Sequence, residues 1–229
     1  MTDSSNMKTT SSDAIKTLKV LKKIYTKRGD MDLGSPENTL LGTLMSAQTT
    51  DVQVLRVFPG FRKKFPSWSS LARADVRSIE RTISTIGLYR AKAKSLKGLA
   101  QMILADFDGK VPQTIEELIR LPGVGRKTAS VVLSCAFNQP AVAVDTHVFR
   151  VTRRLGWTTK MTPEKVERDV QELIPKPLWS DVNRTMVQFG RDVCKGGTPQ
   201  CWRCPVAEWC SYSPKTSGPA SSKAKVSRK

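Results

Sequence analysis

Helical periodicity dominates this chain and leaves little room for a sheet. Apolar residues recur at intervals of three and four, as in Ile15, Leu18, Leu21, Ile24 and Tyr25, the spacing of one helix face rather than the alternation of a strand. The pattern predicts helices over 14–27, 40–47, 52–61, 90–105, 115–120, 164–174 and 182–189. Capping residues stand at their starts: Asp13, Asn38 or Thr39, Thr50 or Asp51, Thr114 with Glu117 as a capping box, Thr162 before Pro163, and Ser180 or Asp181. In the helix over 90–105, Leu96, Leu99, Ile103 and Leu104 make the apolar face, set against Lys92, Lys94 and Lys97. Only 141–144 reads as a strand, and it is short. The expected fold class is all-α, built from many short helices without an internal repeat.

Charge narrows the partners. The chain has 229 residues, enough for one large or two small domains with a proper core. Its 38 Lys and Arg against 20 Asp and Glu give a net charge of +18, which points to a polyanion, nucleic acid ahead of an anionic membrane. No apolar run approaches the roughly 20 residues that span a bilayer. The N-terminus also lacks the apolar core of a secretory signal. The expectation is a soluble monomer in a thiol-reducing compartment: the cytoplasm beside the nucleoid in a prokaryote, with the nucleus as the other setting. Residues 1–12 and 213–229 have the composition of disordered ends, and the second is a basic tail.

Chemistry concentrates in Leu121-Pro122-Gly123-Val124-Gly125-Arg126-Lys127-Thr128-Ala129, followed 18 residues after Lys127 by Asp145 within Val144-Asp145-Thr146-His147. A Gly-rich hairpin opens a helix whose continuation, Val131, Val132, Leu133, Cys135, Ala136 and Phe137, reads as largely buried, with Cys135 a small core residue. A lysine in the first turn opposes the helix dipole, and such local violations mark function. The helix N-terminus, Arg126 and partial desolvation all disfavour the ammonium form of Lys127, and a neutral amine attacks electrophilic carbon. A solvated lysine at an exposed helix end accounts for the residue equally simply. Asp145 is either the carboxylate partner of that amine or an ordinary N-cap. His147, the only histidine, stays unassigned. The backbone amides of Gly123 to Gly125, with the helix N-terminus, suit a phosphate.

Cys194, Cys201, Cys204 and Cys210 crowd one Gly- and Pro-punctuated segment. Four thiolates so close suggest a metal or iron–sulfur centre rather than disulfides. The spacing alone leaves zinc and iron–sulfur undecided, since only Cys201 and Cys204 form a Cys-x-x-Cys pair.

Taken together these stretches resemble the helix-hairpin-helix DNA glycosylases. The Cys-x6-Cys-x2-Cys-x5-Cys run, Ser46-Ala47-Gln48-Thr49-Thr50-Asp51 and Ile86-Gly87-Leu88-Tyr89-Arg90-Ala91-Lys92-Ala93 are similar to the endonuclease III branch. The resemblance implies two helical lobes, a barrel-like one over 29–139 that holds the hairpin and a discontinuous cluster lobe over 13–28 and 140–212, with the active site in the cleft between them. It further implies a bifunctional glycosylase and abasic-site lyase of base excision repair that releases oxidised pyrimidines such as thymine glycol from duplex DNA. By the same resemblance Lys127 is the Schiff-base nucleophile and Asp145 its partner, facing each other across that cleft. Gln48 and Leu88 would intercalate where a nucleotide is extruded, and Gly123, Gly125, Arg126 and Lys195 would contact DNA, with Arg203 also turned toward the backbone. The four cysteines would hold a [4Fe–4S] cluster, and hairpin carbonyls a monovalent cation. Two rival readings remain at this level: an adenine- or mismatch-specific glycosylase of the same superfamily, and a noncatalytic DNA-binding module. The adenine branch has no equivalent of Lys127.

Overall fold

The computed structural model describes residues 9–26, 31 and 33–218. Eleven α-helices and three short 3-10 turns account for the described residues, with no strand among them. No helix among these residues is long and apolar enough to cross a membrane.

The chain divides into two compact units, one comprising the described residues of Lys27–Ala143 and Pro175–Ser180. It contains α2 (Pro36–Ser46), α3 (Asp51–Lys64), α4 (Trp68–Arg73), α5 (Val76–Thr82), α6 (Tyr89–Asp106), α7 (Ile115–Leu118) and α8 (Arg126–Phe137). α6 is the longest, and α2, α4 and α5 pack on it, while α8 rests on α2 and α7. Leu96, Leu99 and Ile103 of α6 are wholly buried with Leu40, Leu41 and Met45 of α2. Phe61 of α3 is also wholly buried, its ring centroid 5.3 Å from that of Phe65 and 6.2 Å from that of Phe58. The short helices α4 and α5 give no periodic signal of their own; a reciprocal Ser67 and Ser70 capping box starts α4, and Lys97 of α6 donates to the Ala74 carbonyl at its end.

The other unit gathers the described residues of Met1–Thr26, Val144–Ile174 and Asp181–Lys229. It contains α1 (Ser11–Ile24), α9 (Thr146–Leu155), α10 (Pro163–Leu173), most of α11 (Trp179–Asp192) and the cysteine segment. α9 buries Val148, Val151, Thr152 and Leu155, a single stripe, and packs on α10. Tyr25 meets Phe189 of α11 at a ring-centroid distance of 6.2 Å, and its hydroxyl donates to Asp192.

Several expectations are corrected by tertiary contacts. The first helix starts at Ser11 because Thr10, not Asp13, caps it, its hydroxyl accepting from the Asp13 N–H. Ser35 likewise caps α2 ahead of Asn38 and Thr39. Thr114 accepts from the Glu117 N–H, but its hydroxyl donates to the Glu117 carboxylate, so the capping box is incomplete. Residues 141–144 are buried yet pair with no strand. Ile24 and Leu104 are exposed despite their periodic spacing. Residues 140–143 and 175–180 fall in the first unit rather than the cysteine-bearing one, and Ser180 donates to the Gln139 carbonyl. The start of the tail is ordered: Thr216 donates to the Pro199 carbonyl and accepts from the Cys201 N–H. The remaining parts expected as disordered ends, 1–8 and 219–229, lie outside the described residues.

Truncating Phe61 leaves a ring-sized void among residues that cannot collapse onto it. Phe61→Ala is expected to cost about 3–5 kcal/mol in urea unfolding.

Candidate active site

The hairpin is fixed by a steric fit. Leu121 and Val124 are buried, and the Val124 N–H donates to the Leu121 carbonyl across the turn. Gly123 sits at φ +79, and a Cβ there would lie 2.7 Å from Ser95 Cβ and 3.3 Å from Leu44. Only glycine meets both demands. Pro122 packs against Gly98 of α6, where a Cβ would come within 3.3 Å of the proline ring. The hairpin therefore lies directly on α6, through Ser95 and Gly98. Gly125 is different: a Cβ there would meet nothing within 4 Å, and the residue is the N-cap of α8 without a side-chain cap. A helix start of this kind, with no side chain capping it, is the setting in which an anion is held.

Lys127 follows in the first turn of α8, exposed, as is Arg126. The partial desolvation expected of Lys127 is not supplied by its own chain. Among the described residues it makes no hydrogen bond or ion pair, while Thr128, Ala129 and Ser130 behind it are buried. Cys135 is only half-buried, as are Val131, Ala136 and Phe137, so α8 is less enclosed than its composition suggests.

The lysine that the fold does desolvate is Lys92. It is 6% exposed, contrary to its expected place on the wet face of α6. Its amine donates to the Met45 carbonyl at 2.8 Å and to Thr49 Oγ1 at 2.9 Å. Both acceptors are neutral, so burial dominates and pulls Lys92 down from 10.5 to about 8.

Gln48 and Leu88 lie on neighbouring turns. Both are exposed, Leu88 by 58%, and both adopt left-handed backbone at φ 54 and φ 58. Gly87 brings the turns together, since a Cβ there would lie 3.2 Å from Thr49 Oγ1 and 3.3 Å from the Gln48 carbonyl.

In the other unit Asp145 is the N-cap of α9. Its Oδ1 accepts from the His147 N–H at 2.9 Å and the Val148 N–H at 2.7 Å. These bonds pin a half-buried carboxylate, and among the described residues Oδ2 accepts none. His147 Nδ1 stands 3.1 Å from Arg150 Nη2, which can only donate. Arg150 also donates to the carbonyls of Gly190 and Cys194, linking the helix of Asp145 to the first cysteine. Sequence reasoning missed Arg150, because an arginine at the middle of an amphipathic helix looks like any solvated one.

The four cysteines line one pocket, together with Leu155, Phe189 and Val193. Among the described residues no three of His, Cys, Asp and Glu are placed to hold a single metal ion. Burial pushes the Cys194 and Cys204 thiols up, and for Cys204 the other three sulfurs push the same way. Arg154 braces the segment, donating to the carbonyls of Lys195 and Gly196 while its guanidinium stacks 4.9 Å from the Tyr212 ring. Lys195 is exposed. Arg203 is exposed, ion-paired with Asp192 and bonded to Gln200.

Burial of Lys92 makes stability depend on pH. The unfolded chain keeps this proton up to about 10.5 and the folded chain only to about 8, so the penalty is full below pH 8 and is relieved as pH rises toward 10.5. Relative to Lys92→Met, the wild-type protein is expected to gain stability across that window in urea titrations.

Residues 41–176 match the HhH-GPD superfamily base excision DNA repair protein family. Endonuclease III of Synechocystis sp. is 42% identical over 199 residues, 86% of this chain and 91% of that protein. Endonuclease III of Bacillus subtilis is 40% identical over 179 residues, 77% of this chain and 81% of that protein. A solved structure of a trapped endonuclease III–DNA covalent intermediate, an estranged-adenine complex, superposes with a TM-score of 0.83 at 37% identity, over 88% of this chain and 96% of that one. With its hairpin, capped aspartate and four-cysteine pocket, the chain belongs to the endonuclease III family of HhH-GPD base excision DNA repair proteins.

Proposed function

We propose that this protein is a base excision repair DNA glycosylase with abasic-site lyase activity, and that Lys127 is its nucleophile. The exposed amine of Lys127, uncommitted among the described residues and set beside a phosphate-suited hairpin, carries the reading. A covalent enzyme–DNA species, of the kind trapped for the relative above, requires such a group. The amine attacks C1′ of an extruded nucleotide, the N-glycosidic bond breaks, and the departing base takes up a proton. The sugar ring then opens as the C1′–O4′ bond breaks and O4′ takes a proton from solvent, leaving a protonated Schiff base between Lys127 and C1′; this acidifies C2′, whose proton is lost as the C3′–O bond to the 3′ phosphate breaks, nicking the strand. Positive charge develops on the sugar as the base departs, and the carboxylate of Asp145, held by two backbone amides, stabilises it electrostatically. The desolvation that Lys127 lacks in its own chain comes from the DNA that covers it.

Gln48 and Leu88, on adjoining exposed turns, fill the space that the extruded nucleotide leaves. Gly123, Gly125, Arg126 and Lys195 hold phosphates without reading sequence. Oxidised or ring-damaged pyrimidines such as thymine glycol are the substrates, in duplex DNA, and the enzyme works on the genome, in the nucleoid of a prokaryotic cell. A panel of duplexes with one lesion each, scored separately for base release and nicking, tests that range; release of adenine or mismatched thymine alone contradicts it.

A [4Fe–4S] cluster is the group we assign to the cysteine pocket, which the four residues line together with apolar side chains. Cys194, Cys201, Cys204 and Cys210 would hold it, and its part is to fix the fold of this segment. The carbonyls of the hairpin are the groups that a monovalent cation would take.

Two outcomes follow. Borohydride on abasic duplex should trap wild-type protein covalently but not Lys127→Ala, while Asp145→Asn should bind DNA normally and lose base release by roughly 10²-fold or more. An adduct formed by Lys127→Ala at the normal rate contradicts the mechanism. Purified protein should carry iron and sulfide with broad visible absorbance, diminished in Cys204→Ser; a colourless protein with stoichiometric zinc refutes the cluster.

A further inference from the structure

Leu88, Lys92, Ser95 and Gly98 follow one another at intervals of four, three and three, a single stripe along α6. Two of these positions receive the hairpin through Gly123 and Pro122. Lys92 receives the other loop, and it does so with both its backbone and its side chain. Its N–H donates to the Leu88 carbonyl at 3.0 Å. Its amine reaches the Met45 carbonyl in the last turn of α2 and Thr49 Oγ1, the residue after Gln48. One residue therefore bonds the turn that carries Leu88 and the turn that carries Gln48.

We infer that Lys92 is a positioning residue that locks these two turns into one two-pronged wedge, so that Gln48 and Leu88 enter the duplex together. The inference rests on the reading of Gln48 and Leu88 as the groups that fill the gap left by the extruded nucleotide. Three observations converge on it. Left-handed backbone at non-glycine residues is costly and persists only where the surroundings hold it, and it occurs at both Gln48 and Leu88. Gly87 allows the turns to touch, but contact alone does not fix their relative position. The buried amine has only neutral acceptors, an arrangement that an apolar side chain of the same length would make cheaper. What the amine supplies in return is a cross-link between two exposed turns. Separating stacked bases is costly, and a wedge whose prongs move independently spends part of its interaction on being ordered.

The test uses the full-length protein and duplexes carrying thymine glycol, with 2-aminopurine beside the lesion to report unstacking. Lys92→Met should slow single-turnover base release about ten-fold, the effect of losing one or two buried hydrogen bonds, and should reduce the fluorescence rise. Borohydride trapping on single-stranded abasic DNA needs no extrusion, and it should stay at the wild-type rate in this variant. Thr49→Val removes one acceptor from an accessible turn and should show the same pattern more weakly; it carries the test if Lys92→Met does not fold. Equal slowing on duplex and single-stranded substrates overturns the inference, since it marks a general structural loss. So does unchanged duplex release in Lys92→Met when Gln48→Ala and Leu88→Ala slow it. If those two alanine variants themselves leave release and fluorescence untouched, the wedge reading fails first and takes this inference with it.

Discussion

Close approach of the hairpin to helix α6 is the constraint on which the unit bearing Lys127 depends. Ser95 and Gly98 are small enough to let Gly123 and Pro122 settle on the helix surface, with 2.7 Å left for a Cβ that is not there. That contact sets where α8 begins and therefore where Lys127 stands. The same helix holds Leu88 at its start and ties down the Gln48 turn through Lys92. A helix with four differently used positions on one side thus places Lys127 and both exposed turns, those of Gln48 and Leu88. Helical elements hold such geometry better than loops do, because each side chain is positioned by the packing of the whole helix.

The cysteine-bearing unit follows a different logic. Its helices present a small apolar stripe, and much of its organisation is polar. Arg150 and Arg154, one turn apart on α9, donate to carbonyls of the cysteine segment, so the helix capped by Asp145 and the four-cysteine pocket are joined by charge-assisted hydrogen bonds. Burial pushes the Cys194 and Cys204 thiols up, so the segment is organised around sulfurs held among apolar side chains.

Legibility tracked how local each determinant is. Thr50 at the start of α3 and Asp145 at the start of α9 both cap as their sequences suggest, because capping needs only residues within one turn. Helices α4 and α5, of six and seven residues, are too short for a period to emerge. Lys92 was misjudged for another reason: a lysine two positions from Lys94 on a basic helix looks solvated, and its acceptors, Met45 and Thr49, come from 43 to 47 residues away. Ile24 and Leu104 fit the periodic stripe yet end on the surface, since periodicity says which face a residue shares and not how far the neighbouring helix reaches.

The sequence by itself determined the all-helical class, the basic character, the glycine-rich turn, the order of Lys127 and Asp145, and the clustering of four cysteines, because each is encoded in residues close along the chain. Tertiary structure alone decided which lysine is exposed and which is buried, that the turns of Gln48 and Leu88 adjoin, that Arg203 pairs with Asp192, and that the cysteines line one pocket. Those outcomes depend on which side chains from distant segments compete for the same volume and the same hydrogen bonds. No local pattern records that competition.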